Sequence, residues 1–250
     1  MTGTKADGIL GMTPKVSSSS FEQLFVQRLY EEKLISANMF GVNYRYTTGT
    51  SKIILGGFDE TVVTNSSLFS YVKLKDTTYW SLNLVDMTYG SDTVGIKATR
   101  AILDTGTSLT YWSSTDFNTV YSKITSGKTC GYSSASGFRA CQCTSDTDFK
   151  DISFHLGDYR YYFPASSWIF VRTSGSSTIC EFYIEQLNFG LGEVSVLMGD
   201  SFLRNYYILH DAQNSRVGMF GTYTKGGLWV DPLGALLASA VLFLVATFGV

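Results

Sequence analysis

The chain is poor in residues that several common chemistries need. It has two histidines in 250 residues, His155 and His210. That argues against a His-rich metal site and leaves a Ser-His-Asp triad poorly supplied. Proline is scarce at 3, and with 24 glycines the composition is neither fibrous nor low in complexity. Charged residues make up 16%, with a net charge of −2. There is no basic excess to attract nucleic acid, so none is expected as a partner. Met1–Asp7 lacks the apolar core of a secretory leader. No repeat of 20–50 residues is evident.

Aromatic residues are plentiful, with 16 Tyr and 17 Phe. Together with abundant Thr and Val they favour strands, so the bulk reading is β-rich. The length fits one large domain or two small ones. Four cysteines stand at Cys130, Cys141, Cys143 and Cys180. Two disulfides in an oxidising compartment fit this even number. Cys141-Gln142-Cys143 is too tight for a zinc knuckle. Asn65-Ser66-Ser67 is a glycosylation sequon, which agrees with secretion. The missing leader conflicts with both readings, unless the true N-terminus lies upstream; otherwise the protein is cytosolic. At the other end, Leu233–Val250 is eighteen residues without a charge. As a helix it would span ~27 Å, enough for a bilayer core. No basic flank follows it, so a spanning helix and a lipid-anchor signal both fit. A buried terminal helix is the third option.

Periodicity predicts a helix over Phe21–Ile35, capped by Ser20 with Gln23 three residues on. A second is expected over Ser113–Ile124, with Ser114 as cap. About a dozen short strands surround these, among them Lys52–Gly57, Trp80–Met87, Thr93–Leu103 and Arg216–Phe220. Tyr89-Gly90-Ser91-Asp92 reads as a hairpin turn. Gly127–Thr147, rich in Ser, Gly and Cys, reads as a loop pinned by disulfides. His155, His210 and the pair Glu31-Glu32 have bland structural readings.

One segment points to chemistry. In Ala101-Ile102-Leu103-Asp104-Thr105-Gly106-Thr107-Ser108-Leu109 an apolar strand runs directly into an acid. A carboxylate there needs compensation, which nearby hydroxyls and backbone N–H groups can supply. Gly106 would let the chain turn back and bring its N–H to the carboxylate.

This stretch resembles the second active-site motif of the pepsin-like aspartic proteases. Further segments resemble the family in its own order: Asp7-Gly8-Ile9-Leu10-Gly11, Lys52–Asp59 (KIILGGFD), Tyr79-Trp80-Ser81-Leu82, Met198–Tyr207 (MGDSFLRNYY) and Asp211 through Val217-Gly218. The resemblance implies an all-β fold, the C-terminal lobe of a bilobal pepsin-like acid protease, followed by a C-terminal hydrophobic helix. Residues 1–16 would close the first lobe and connect it, 17–225 would form the C-terminal lobe, and 226–250 a linker and membrane tail. Asp104 would be catalytic, with Thr105, Gly106, Thr107 and Ser108 as active-site loop and support. Thr107 would help hold the loop in the network joining the lobes. Ser108 would orient the carboxylate or the substrate backbone. Leu197-Met198-Gly199 would cross the loop. The family's disulfide lies shortly before an Asp-Ile-x-Phe strand, here Asp151-Ile152-Ser153-Phe154. It therefore pairs Cys143 with Cys180 and leaves Cys130 with Cys141; Cys141 with Cys180 and Cys130 with Cys143 is the alternative. Asp200 and Asp211 fall at structural positions.

The implied mechanism uses two carboxylates and no metal or cofactor. Aspartic proteases are a known instance of two carboxyl groups about 3 Å apart sharing one proton. The ionised one takes a proton from water while the other hydrogen-bonds the scissile carbonyl. This chain has a single Asp-Thr-Gly. The first Asp, the flap and most of the first lobe are missing, which reads as an N-terminal truncation. The expected partners are a peptide or protein substrate, the missing N-terminal lobe, and a membrane through the C-terminal tail. The expected location is the secretory pathway, attached to a membrane in a lysosome- or vacuole-like compartment or at the cell surface. A catalytically dead, membrane-attached binding module is the alternative, and a symmetric dimer of half-enzymes a third reading.

Overall fold

The structure is a computed structural model that describes residues 8–14, 24–44, 51–187 and 195–225, except for the Ser174 side chain. Among these residues there are eighteen strands, four α-helices and two 3-10 turns. The protein is mostly β, as a pepsin-like lobe requires. Leu233–Val250 lies outside the described residues, as do Ser20 and Gln23 of the first expected cap. Among the described residues no helix is long and apolar enough to cross a membrane.

The chain divides into two compact units. One comprises residues up to Ser81 together with Tyr207–Phe220; the other comprises Leu82–Tyr206 and the residues from Gly221 on. In the first, five strands form an antiparallel sheet in the order Ser70–Asp76, Arg216–Phe220, Tyr207–Asp211, Met39–Asn43, Lys52–Leu55. Its helix, Phe25–Glu31, is shorter than the expected Phe21–Ile35. The chain leaves it through Lys33 at φ 60°, a conformation no helix continues through.

Packing in this unit depends on a close approach. A Cβ at Gly41 would stand 2.5 Å from the Tyr207 hydroxyl. That hydroxyl accepts the Asp59 backbone N–H at 2.7 Å. Asp59 in turn accepts from the Thr61 hydroxyl and from Lys52. Those two partners hold its carboxyl below the ordinary value, against a smaller upward push from burial. His210 lies in the same sheet, 1% exposed, stacked on Phe40 at 4.3 Å and edge-on to Trp80 at 4.8 Å. Asp211 accepts from Asn214 and Arg216, a structural role that agrees with its place at a strand end.

The second unit holds the larger core, with Trp112, Phe117, Phe154, Phe163, Trp168 and Phe202 fully buried. One sheet runs Ile184–Gln186, Thr110–Trp112, Ser195–Met198, Arg100–Leu103, Ser81–Tyr89. The last of these also pairs with Asp92–Val94 and with Ile152–Leu156, which leads through Tyr159–Phe163 to Tyr223–Lys225. The turn at Tyr89–Asp92 is a two-residue hairpin with Gly90 at φ 60°.

The expected strand Thr93–Leu103 is broken in two. The cause is Asp116, 1% exposed, whose carboxylate accepts the N–H groups of Lys97 and Ala98 at 2.7 and 2.8 Å. Those donors are thereby lost to a ladder. Asp116 sits in the first turn of the Ser114–Ile124 helix, whose N-cap is Ser113 rather than Ser114.

Gly127–Thr147 is more ordered than the loop expected. It contains the strands Cys130–Tyr132 and Arg139–Gln142 of a sheet ordered Ile169–Ser174, Ser177–Phe182, Arg139–Gln142, Cys130–Tyr132. Trp168 closes the short helix Ala165–Trp168 that leads into the Ile169–Ser174 strand. Disulfides join Cys130 to Cys141 and Cys143 to Cys180. The register sets Cys141 opposite both Cys130 and Cys180. That double adjacency is the physical reason residue spacing leaves the pairing open. Glu181 is buried in this sheet. Burial pushes its carboxyl upward, but the Arg172 guanidinium and the surrounding serine hydroxyls outweigh that and hold it below its ordinary value.

Candidate active site

Asp104 follows directly on the Arg100–Leu103 strand, and the chain returns through Thr110–Trp112. Between these two limbs runs Ser195–Met198. It is parallel to the outgoing limb, with Met198 opposite Leu103, and antiparallel to the returning one, with Met198 opposite Thr110. The Asp104 N–H donates to the Met198 carbonyl at 3.0 Å. Beyond Met198, the N–H groups of Asp200 and Ser201 donate to the carbonyls of Thr107 and Ser108 at 2.8 and 3.1 Å. Leu197-Met198-Gly199 is thus threaded through the loop that carries Asp104.

This crossing has room for no side chain at Gly199. A Cβ there would lie 2.3 Å from the Thr107 carbonyl oxygen and 2.4 Å from that of Leu109. Its backbone is extended, at φ −94° and ψ −162°, so what requires glycine is the approach and not the torsion.

The Asp104 carboxylate is held from within its own loop. The Gly106 N–H donates to Oδ1 at 2.9 Å and the Thr107 hydroxyl to Oδ2 at 2.5 Å. Gly106 brings its N–H to the carboxylate without adopting a left-handed φ. Its use is again proximity, since a Cβ there would stand 3.2 Å from Oδ1. Thr107 puts its hydroxyl on Asp104 itself, a more local task than the network expected for it. Thr105 and Ser108 are exposed, and among the described residues neither side-chain hydroxyl has a hydrogen-bond partner. The loop therefore presents a half-buried carboxylate with two open hydroxyls beside it. Among the described residues no second carboxyl group shares a hydrogen bond with Asp104, and no three His, Cys, Asp or Glu side chains come together as metal ligands.

Below the loop, Thr110 and Ser201 are buried at 0% and 2% exposure, and their hydroxyls share a hydrogen bond at 2.9 Å. Sequence reasoning missed this pair. Its signal was a hydroxyl at each of two otherwise apolar positions, in Leu109-Thr110-Tyr111-Trp112 and in Ser201-Phe202-Leu203. Next along the strand, burial and then the Glu185 carboxylate push the Tyr111 phenol above its ordinary value, so it remains neutral.

Other candidates lie apart from this constellation. The His155 Nδ1 is 3.2 Å from Asp86, which also takes a bond from Arg160. This is a cross-strand polar cluster. Asn65 is exposed and caps the Ser66–Leu68 turn, its side-chain oxygen accepting from the Ser67 N–H at 2.9 Å. The disulfides brace the four-stranded sheet.

The chain is 30% identical to pepsin A of Gallus gallus over 218 residues, covering 85% of this chain and 55% of that one. It is 30% identical to renin of Echis ocellatus over 220 residues, covering 85% and 52%. The chain thus spans about half the length of the curated relatives it matches. In fold it is similar to the aspartic proteinase from Irpex lacteus, with a TM-score of 0.66 at 24% identity, covering 80% of this chain and 61% of that one. The eukaryotic aspartyl protease family model matches residues 1–221, and the chain belongs to that family.

Proposed function

We propose that this chain supplies the second of two catalytic carboxylates in an aspartic-type endopeptidase. The observation that carries this is Asp104, fixed by the Gly106 N–H and the Thr107 hydroxyl on a loop threaded by Leu197-Met198-Gly199. Each carboxylate oxygen accepts one bond from the protein and keeps acceptor capacity for a water or a shared proton. The second carboxylate would come from an N-terminal lobe, since the matched relatives are about twice as long. With one proton between the pair, the ionised partner would activate water, and the protonated one would polarise the scissile carbonyl of a peptide or protein substrate. In this reading residues 17–225 correspond to the C-terminal lobe, and the chain alone has no complete dyad.

The test is peptide hydrolysis at acidic pH by the product of the complete coding sequence, by its Asp104→Asn variant and by the 250-residue chain. The complete product should cleave. Asp104→Asn should lower the rate by about 10³-fold or more, in the range that acid–base groups contribute, and the short chain should be silent. Absence of a second Asp-Thr/Ser-Gly upstream, or activity that survives Asp104→Asn, overturns the reading. The first of these outcomes leaves the binding module standing; activity of the short chain that is abolished by Asp104→Asn would favour the symmetric dimer.

The disulfides and the Asn65 sequon support passage through the secretory pathway. The apolar run Leu233–Val250 supports membrane attachment in a lysosome- or vacuole-like compartment or at the cell surface. Asn65 is expected to carry a glycan, because it is exposed on a short turn outside any strand. Protein from secreting cells should lose mass on treatment with a peptide N-glycosidase, and Asn65→Gln should abolish that loss. An unchanged mass removes this site.

A further inference from the structure

We propose that the buried hydroxyl pair Thr110–Ser201 is a positioning device that fixes the place of the Asp104 carboxylate. As a device for catalysis the proposal rests on the reading above; the placement itself does not.

Ser201 meets the active-site loop at two points. Its N–H donates to the Ser108 carbonyl at 3.1 Å, and its side chain is 2.9 Å from the Thr110 hydroxyl, just past the loop's end. One residue earlier, the Asp200 N–H donates to the Thr107 carbonyl at 2.8 Å. Thr107 is the residue whose hydroxyl holds Asp104 Oδ2. The first turn of the Asp200–Leu203 helix therefore grips the loop by two backbone bonds, using N–H groups that have no partner inside the helix. The hydroxyl bond is a third attachment, made by a side chain and off the line of the other two.

Its surroundings make it a directional constraint. Met198, Trp112, Phe202 and Leu203 are all 0% exposed. Among the described residues neither hydroxyl has another side-chain partner. A buried hydroxyl is costly to leave unsatisfied, so the two must find each other. Apolar residues at both positions would fill the same space without that demand. What the pair adds beyond packing is orientation.

This separates positioning from stability in one experiment on the whole chain. Thr110→Val and Ser201→Ala each strand the other hydroxyl, whereas the double variant removes both, which can be nearly neutral for stability. The readouts are thermal unfolding and, at the site, the Asp104 13Cγ and Gly106 N–H resonances with the exchange rate of the Gly106 amide. Both single variants should lower Tm and displace the Asp104 and Gly106 signals. In the double variant Tm should return towards wild type. The site signals should stay displaced, with Gly106 exchange roughly tenfold faster than in wild type. Thr110→Ser, which keeps the hydroxyl, should leave them in place. If the double variant restores both Tm and the site signals, the pair is a packing feature and the proposal fails. It fails equally if no variant moves the site signals. None of these readouts needs turnover, so this failure is distinct from failure of the peptidase assay.

Discussion

Gly199→Ala is expected to be among the most damaging single substitutions in this chain. The added methyl would be 2.3 Å from the Thr107 carbonyl oxygen and 2.4 Å from that of Leu109. Both obstacles are backbone, so no rotamer change relieves them. Thr107 can retreat only by stretching the Asp200 N–H bond that holds it, and Thr107 is what holds Asp104. Overpacking a core costs typically ~1–3 kcal/mol and more where backbone must move; about 3 kcal/mol or above is expected here. Gly95→Ala is the control, because a Cβ there meets nothing within 4 Å. Denaturant midpoints should leave Gly95→Ala within ~0.5 kcal/mol of wild type. Amide exchange over residues 104–110 should accelerate in Gly199→Ala alone. Equal midpoints for the two variants would show that the crossing yields more easily than its geometry implies.

The second large effect is a dependence on pH seated in His210. Burial lowers its imidazole to about 3, against a small opposing pull from the Phe40 backbone. An unfolded histidine titrates near 6.5. Between those values the unfolded chain binds a proton that the folded chain does not, so stability rises with pH across that window. The contribution is complete above about 6.5, falls as the medium is acidified, and levels off below about 3. A depression of this size corresponds to roughly 3–5 kcal/mol over the whole window. His210→Phe should remove the effect, since Phe40 and Trp80 already provide an aromatic slot. Asp59, with its lowered carboxyl, also loses stabilisation on acidification but at lower pH, and it is common to both proteins. The measurement is urea unfolding of both at pH 7 and pH 4. The variant should gain relative to wild type at pH 4; parallel losses would mean that His210 is not the sensor. An enzyme working in acid would carry this histidine as a liability in the unit containing it.

Local signals in the sequence made the surroundings of Asp104 legible and much of the strand layout less so. Asp104 announced itself because an acid at the end of an apolar strand needs donors close by, and these came from its immediate neighbours. The Ser114–Ile124 helix was legible from its apolar stripe, with its cap displaced by one residue. What escaped depends on partners distant in sequence. The break in Thr93–Leu103 comes from Asp116. The strands inside Gly127–Thr147 exist because Ser177–Phe182 offers them an edge. The Thr110–Ser201 bond joins residues 91 apart. No periodicity within a ten-residue window contains such facts.

The threading of Ser195–Met198 through the Asp104 loop also sets a clock. Arg100 and Ser195, which begin the parallel pairing, are 95 residues apart. A ribosome adding about 5–20 residues per second needs roughly 5–20 s to make that intervening chain. Through that interval the nascent Asp104 loop has no strand to cross it and no Asp200 or Ser201 N–H to grip it. Contacts this distant form late and slowly. The Asp104 carboxylate is therefore among the last groups in its unit to be fixed in place, after most of the unit has been synthesised.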